Sequence, residues 1–263
     1  MFELIDRALA LAAPLFDAFE HVRPTVYSIL EGRQPGRVWA DDSHSPRSVL
    51  MVSDYVYVAG DCENAPSIAE LRDRLARELL SGRAYQLVWC APSAWLPTLD
   101  ALLAPYGAQQ VTHSSFTLDV AAFYAAAGRA RPLPAGLTLQ PLDARTALEP
   151  GGMPELWGSV ERFLAQGLGY CIMQGDTFVS SAETVFIGDG RAEIGVGTRE
   201  PFRRQGFATI VCRATIEHCL RLGIAPEWSR FYNAASGALA ASLGFVPRTD
   251  MLIHYIKVQA DPA

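Results

Sequence analysis

The sequence lacks an excess of basic residues. Its 263 residues include 22 Lys and Arg against 28 Asp and Glu, which gives a formal net charge of −6. Proteins that bind nucleic acid or anionic lipid normally carry the opposite excess, so neither is expected as a partner. Charged residues are also few, at 19%, whereas 50% are hydrophobic. This composition excludes wholesale disorder and predicts a sizeable core.

Long hydrophobic runs are missing as well. The longest, 118–127 around Asp119, is far short of the ~20 residues that a membrane-spanning helix needs. The first seven residues lack the basic start of a secretory signal, although 8–16 is apolar. A cytoplasmic location is therefore expected.

Several chemical motifs are absent. No Gly-x-x-x-x-Gly-Lys-Ser/Thr, Gly-x-Ser-x-Gly or His-Glu-x-x-His occurs, and Gly195 and Gly197 lack the third glycine of a dinucleotide fingerprint. The histidines are isolated, and five scattered cysteines form no Cys-x-x-Cys pair, so we expect no metal site and no disulfide framework. The cysteines are predicted to be reduced core thiols: Cys62, Cys90, Cys171, Cys212 and Cys219.

A proline- and glycine-rich linker, 128–136, divides the chain into halves of similar length. It predicts an N-terminal α/β domain, 1–130, and a second domain, 136–263. Periodicity predicts a helix over 3–19, a strand over 49–59 with a turn at Asp54, and a helix over 67–80 capped by Ser67. A strand, a helix and a strand follow at 85–90, 94–103 and 111–120.

The second half is predicted to fold as a mixed sheet with helices, an α+β arrangement of the α/β class. Hairpin turns at 174–176 and 188–190 join three strands, and a helix over 206–222 is expected to expose Arg213, Glu217 and Arg221. Its remaining elements are a strand at 137–142, a helix at 154–165, strands at 169–173, 177–187, 192–198, 227–232 and 249–258, and a helix at 234–243.

The two halves resemble each other weakly. The same order of features occurs in both: a tryptophan, a short helix, a glycine and a long strand. The tryptophan and glycine are Trp89 and Gly107 in the first half and Trp228 and Gly244 in the second. Two interpretations stand: a degenerate duplication, or the chance similarity that any α/β chain can show.

The segment 193–208 carries the chemistry. It is predicted to be a strand, a basic turn containing glycine, and the start of a helix. The first N–H groups of a helix lack intrahelical acceptors, and the helix dipole favours anions there. Gly206 lets a phosphate approach the backbone, and Arg203 and Arg204 add charge. The alternative is a solvated basic turn that only caps the helix.

These residues resemble the GNAT superfamily of acyl-CoA-dependent N-acetyltransferases. The run Arg203–Ala208 matches the pyrophosphate loop Gln/Arg-x-x-Gly-x-Gly/Ala, and 233–245 matches Asn-x-x-Ala-x-x-Leu-Tyr-x-x-x-Gly-Phe except at two places. With Pro226 and Trp228, the resemblance is closest to the branch that includes zwittermicin-resistance acetyltransferases. It covers 137–258.

The resemblance implies that the strand 192–198 splays from the strand 227–232 and that the pantetheine of acetyl-CoA lies in the gap. The implied contacts are backbone groups of Ile194, Val196 and Thr198, the loop residues Arg203, Arg204, Gln205, Gly206, Phe207 and Ala208, and the side chains of Asn233 and Ser236.

Acetyl transfer to an amine needs a general base or a water relay. Glu193, beside the splay, is the first candidate and Glu183 the second; the alternative for Glu193 is a solvent-facing strand residue. A backbone N–H near Val196 is suited to the oxyanion. The family's proton-donating tyrosine is Ala240 here, and Tyr232 is the substitute candidate.

The expected function is acetyl transfer from acetyl-CoA to the amine of a small molecule, of an antibiotic-like or amino-acid-like kind, by direct attack. Ala240 motivates a rival, a non-catalytic CoA-binding module. Paired GNAT-like halves motivate another, aminoacyl transfer from tRNA, against which the net charge argues. The sequence does not indicate an oligomeric state.

Overall fold

The computed structural model describes residues 1–79, 85–126, 132–149, 153–231 and 233–257. The chain forms two compact units, Met1–His113 with Met251–Ala263, and Ser114–Asp250. It passes between them within strand β6 (Gln109–Leu118) and within strand β12 (Phe245–Lys257). This division differs from the expected one at the linker, of which 128–131 lie outside the described residues. Separate domains at 1–130 and 136–263 stay a prediction.

The first unit is a mixed sheet with helices. Neighbouring strands pair in the order β1, β2, β3, β4, β5 and the end of β12, and only the β4–β5 pair among these is parallel. The strands are β1 (Phe2–Leu4), β2 (Arg37–Ala40), β3 (Ser48–Val52), β4 (Val56–Gly60) and β5 (Tyr85–Ala91); the helices are α1 (Leu9–Phe16), α2 (Arg23–Leu30), α3 (Ala65–Leu79) and α4 (Leu96–Leu103).

Two sequence predictions in this unit were wrong. The helix expected over 3–19 is helical only from Asp6 to Phe16, because Phe2–Leu4 pairs with β2 as a strand. Helix α3 begins at Ala65, two residues before Ser67, where the start of the helix was expected; a proline such as Pro66 suits the first turn of a helix. The turn at Asp54 was confirmed, and it joins β3 to β4.

The second unit contains the segment 193–208. Its strands pair in the order β6, β11, β10, β9, β8, β7, and β10 with β11 is the parallel pair among them. This mixed sheet with helices confirms the predicted fold class. The strands are β7 (Leu137–Pro141), β8 (Gly169–Gln174), β9 (Thr177–Gly188), β10 (Arg191–Thr198) and β11 (Ala225–Arg230); the helices are α5 (Val120–Ala125), α6 (Met153–Trp157), α7 (Val160–Gln166), α8 (Phe207–Arg221) and α9 (Ala234–Ser242).

Helix α8 packs its apolar face on the core of this unit through Val211, Cys212, Ile216 and Cys219. Arg213, predicted to be exposed, is buried instead. Its guanidinium lies 4.3 Å from the ring centroid of Phe123, and Nη1 donates to the Phe123 carbonyl at 3.3 Å. The contact comes from α5, 90 residues away, so the helical pattern alone could not reveal it.

One smaller difference concerns the same unit. The helix expected over 154–165 is divided into α6 and α7, and Ser159 caps the second by accepting from the N–H of Arg162 at 3.1 Å. The five cysteines are free thiols, four of them buried and Cys62 half-buried. None of the described helices has both the length and the apolar composition that crossing a bilayer requires.

Candidate functional site

Strands β10 and β11 pair only at their first residues. The parallel register joins Arg191, Ala192 and Glu193 to Ala225, Pro226 and Glu227, although β10 continues to Thr198 and β11 to Arg230. On its other side β10 pairs with β9 from Arg191 to Thr198, with one shift of register between Glu193 and Ile194. The second half of β10 therefore has one hydrogen-bonding edge that faces the gap left by β11.

The backbone groups that face this gap can be identified by alternation. The N–H of Arg199 donates to Val179 on β9 at 2.9 Å. Since alternate residues of an antiparallel strand point their N–H and C=O groups to opposite sides, Ile194, Val196 and Thr198 point away from β9. These are the three residues whose backbone the resemblance implies in pantetheine binding.

A cavity of about 390 Å³ lies on this part of the sheet. Glu183 of β9 is in its wall, directly opposite Gly195 of β10 and Gly169 of β8. A Cβ added to Gly195 would lie 3.2 Å from Oε1 of Glu183. A Cβ added to Gly169 would lie 3.1 Å from the Cβ of Glu183, so both glycines leave room for the Glu183 side chain. The cavity is lined by Glu149, Phe178, Ser181, Glu183, Val196, Gly197, Thr198 and Arg199.

The Glu183 carboxyl is strongly desolvated. The residue is 6% exposed, and its Oε2 has no hydrogen-bond partner within the part of the chain that the structure describes. Burial raises the pKa of Glu183 to about 7, against a hydrogen bond from Ser181 that lowers it. A carboxyl group that is half ionised near neutrality can accept a proton from a substrate and release it again.

Glu193 has a different setting. It lies at the last paired position of β10 and β11, opposite Glu227, and its carboxylate accepts a hydrogen bond from the Ser229 hydroxyl. Oε1 of Glu227 accepts from Arg191 at 2.9 Å and from Arg248 at 3.0 Å. Burial raises the pKa of Glu227, and both arginines act against the increase. Glu193 thus lies at the start of the gap with its carboxylate bound to Ser229, whereas Glu183 lines the cavity.

The basic turn between β10 and α8 has the backbone that an anion site requires. Gly206, with φ of +90°, is the N-cap of α8, and a Cβ added there would meet no atom within 4 Å. Arg204 also has a positive φ, 64°. Arg203 Nε donates to the Thr198 carbonyl at 3.2 Å, and Gln205 donates to the Pro201 carbonyl at 3.2 Å. These bonds fix the loop, and the first turn of α8 contains no acidic residue.

The remaining candidates lie around α9. Asn233 is its N-cap and accepts from the N–H of Ser236 at 3.1 Å, while the Ser236 hydroxyl accepts from Trp228 Nε1 at 2.9 Å. Ala240 is fully buried in the core, so no polar group is present at that position. Tyr232 lies outside the described residues.

Sequence reasoning missed Arg199, Glu149 and Ser181. All three line the cavity, and Arg199 forms an ion pair with Glu149. The alternation of side chains along β10 could have indicated Arg199, because it is four residues after Gly195 and therefore lies on the same face of the strand.

The buried Glu183 carboxyl predicts a characteristic dependence of stability on pH. Because its pKa is raised from 4.5 to about 7, the native state binds more protons than the unfolded state between these values. The free energy of unfolding should therefore fall as the pH rises from 4.5 to 7, by roughly 3 kcal/mol from this residue. Urea titrations at pH 4 and pH 8 measure this change. Between these pH values the wild type should lose about 3 kcal/mol of unfolding free energy relative to Glu183→Gln, which lacks the titrating group. Parallel stability profiles for the two proteins would contradict the assignment.

Three comparisons with known proteins bear on this arrangement. A family model described as GNAT acetyltransferase matches residues 13–252. The protein "Uncharacterized N-acetyltransferase YdfB" of Bacillus subtilis (strain 168) is 30% identical over 262 residues, which cover 96% of this chain and 97% of the relative. Together these matches cover both halves of the chain.

Solved structures agree in fold. A GCN5-related N-acetyltransferase-like protein from Streptococcus suis 89/1591 superposes with a TM-score of 0.72 at 23% identity, covering 95% of this chain and 98% of that one. A tandem GNAT protein from the clavulanic acid biosynthesis pathway gives 0.60 at 15% identity, over 97% and 94%. The splayed strand pair and the glycine-containing loop agree with these matches. The family model and the relative at 30% identity show that the chain belongs to the GNAT family of acyl-CoA-dependent N-acetyltransferases, whose co-substrate is acetyl-CoA.

Proposed function

We propose that this chain transfers the acetyl group of acetyl-CoA to the amine of a small molecule by direct attack, with Glu183 as the general base. The observation that carries the proposal is a desolvated carboxyl group with a pKa of about 7 in the wall of a cavity beside the unpaired edge of β10. A cavity of about 390 Å³ is in the size range of sites for small molecules.

The part of the site for acetyl-CoA is proposed to be mainly backbone. Ile194, Val196 and Thr198 would pair with the pantetheine amides along the free edge of β10. The pyrophosphate would lie at Arg203–Ala208, where the helix dipole, the outward N–H groups and two arginines favour an anion. Asn233 Oδ1 already caps α9, and the Ser236 hydroxyl already accepts from Trp228. We propose that the remaining amide N–H₂ of Asn233, an exposed residue, binds the pantetheine arm.

The chemistry follows from these positions. Bound acetyl-CoA supplies the thioester carbonyl. The Glu183 carboxylate takes the proton that the amine loses as its nitrogen bonds to that carbon. The Val196 N–H, which faces the gap, donates to the developing oxyanion, so that only the Val196 carbonyl pairs with a pantetheine amide. The C–S bond then breaks, and the thiolate takes a proton. With Ala240 buried, we propose Tyr232 or water as the source of that proton.

Turnover with a panel of amines tests this function. Release of CoA thiol that depends on both acetyl-CoA and an amine, with the acetylated amine found by mass spectrometry, is the expected result. Tight binding of acetyl-CoA with no turnover on any amine would favour the non-catalytic module. Binding of aminoacyl-tRNA in moderate salt, with loss of its aminoacyl group, would favour aminoacyl transfer.

We also predict that one acetyl-CoA binds per chain. In the first unit, the segment before α3 contains Asp61 and Glu63, where the second unit has arginines and Gly206 before α8. The N–H of Glu63 and the guanidinium of Arg47 hold the pKa of Asp61 below its ordinary value, so its charge persists at neutral pH. A carboxylate there repels a pyrophosphate. Calorimetry on the intact chain should saturate at one equivalent; saturation at two would refute the prediction.

A further inference from the structure

The cavity that contains Glu183 also contains an arginine that the acetyl-transfer chemistry does not use. Arg199 is the residue after β10 and lines the cavity together with Glu183. Four residues at about 3.3 Å each separate it from Gly195, which is opposite Glu183. Gly195 and Arg199 are thus about 13 Å apart along β10, and the proposed base and the cation lie on one face of the same strand pair.

Arg199 is held in place from three sides. Its N–H donates to the Val179 carbonyl at 2.9 Å, which fixes the backbone. Its guanidinium lies 5.7 Å from the ring centroid of Phe178, and Nη2 pairs with Oε2 of Glu149. An arginine restrained in this way needs little ordering when it binds a ligand.

Most of the hydrogen-bonding capacity of Arg199 remains accessible. The guanidinium has five N–H donors in a fork that matches a carboxylate, and the pair with Glu149 engages one nitrogen. The side chain is 54% exposed, compared with 35% for Glu149. Arg199 therefore keeps N–H donors that the pair with Glu149 does not use and that a ligand can reach.

Resting on the function proposed above, we propose that the acceptor is an amino-carboxylate, whose amine approaches Glu183 while its carboxylate binds Arg199. Glu149 orients the guanidinium. The opposite arrangement, in which Glu149 binds a second ammonium group of a diamine, uses the less exposed partner of the pair and leaves the guanidinium without a role.

Matched acceptors test the proposal on the wild-type enzyme. Amino acids should be acetylated with kcat/KM about 10- to 100-fold above that of their amides and of the decarboxylated amines, the range expected for hydrogen bonds to a charged group. Equal rates for acids, amides and plain amines would overturn the amino-carboxylate assignment while leaving acetyl transfer intact. Turnover of none of these amines would instead count against the proposed function.

Substitutions of Arg199 and of Glu149 are expected to change KM in opposite directions for the two arrangements. Arg199→Met should raise KM for the amino-carboxylate about 10- to 100-fold and abolish the preference over the amide, with the Kd of acetyl-CoA changed less than threefold. Arg199→Lys should restore part of the preference because it keeps the charge but not the fork. Glu149→Gln should leave KM for the amino-carboxylate the same or lower. A raised KM in Glu149→Gln together with a lowered KM in Arg199→Met would overturn the proposal in favour of a diamine acceptor.

Discussion

Glu183→Gln is expected to lower kcat by roughly 10²–10⁴-fold, the usual contribution of a positioned general base. The substitution keeps the size of the side chain and removes the proton acceptor. The Kd of acetyl-CoA should change only a few-fold, because Glu183 is not among the proposed contacts to acetyl-CoA. Pre-steady-state mixing with acetyl-CoA and an amine would measure the chemical step directly.

The pH profile provides an independent measurement. Since the base must be ionised, kcat/KM of the wild type should rise with pH and level off above an apparent pKa near 7, the pKa to which burial raises Glu183. That limb should be absent from the residual activity of Glu183→Gln. The matched control is Glu193→Gln, which removes a carboxylate held by the Ser229 hydroxyl and should cost much less. If Glu193→Gln shows the large loss and Glu183→Gln does not, Glu193 is the base.

Gly206→Glu is expected to abolish measurable binding of acetyl-CoA. The change places a side chain and a negative charge in open space at the N-cap of α8, where the pyrophosphate is proposed to lie. Isothermal titration calorimetry should show a loss of at least 100-fold in affinity, provided that the thermal unfolding transition shows a folded variant.

Two controls separate charge from strain. Gly206→Ala retains the open space but forces a Cβ on a backbone with φ of +90°, which costs about 1–2 kcal/mol of stability. It should weaken acetyl-CoA binding far less than Gly206→Glu does. Arg221→Glu introduces a carboxylate on the exposed last turn of the same helix and should leave affinity unchanged. Unchanged affinity in a folded Gly206→Glu protein would eliminate the loop as the pyrophosphate site.

Local signals predicted much of the second unit. Hairpins were expected at 174–176 and 188–190, and Gly175, Asp189 and Gly190 do adopt positive φ there. The start of α8 was predicted within one residue from Gly206. The errors arise where a distant residue decides the outcome. Phe2–Leu4 becomes a strand because β2 is available to pair with it, and Arg213 is buried because Phe123 lies beside it.

The candidate site shows the same division between local and distant information. The basic turn between β10 and α8 is contiguous in sequence, and the strand, turn and helix that form it were predicted. Glu183 was placed second to Glu193 because its setting depends on Gly169 and Gly195, which lie 14 residues before it and 12 after it on other strands. The sequence alone does not say which of two glutamates on adjacent strands lines a cavity, since strand register decides that.

The early parting of β10 from β11 also affects which substitutions would reveal the site. Every residue except proline supplies the same N–H, so truncating Ile194, Val196 or Thr198 to alanine leaves the proposed pantetheine-binding groups in place. An alanine scan would therefore register these positions as tolerant or merely destabilising. Proline at Val196, or replacement of its amide by an ester, removes the donor itself. The proposed pantetheine contacts on β10 thus depend on the path of the backbone, and side-chain identity carries little information about them.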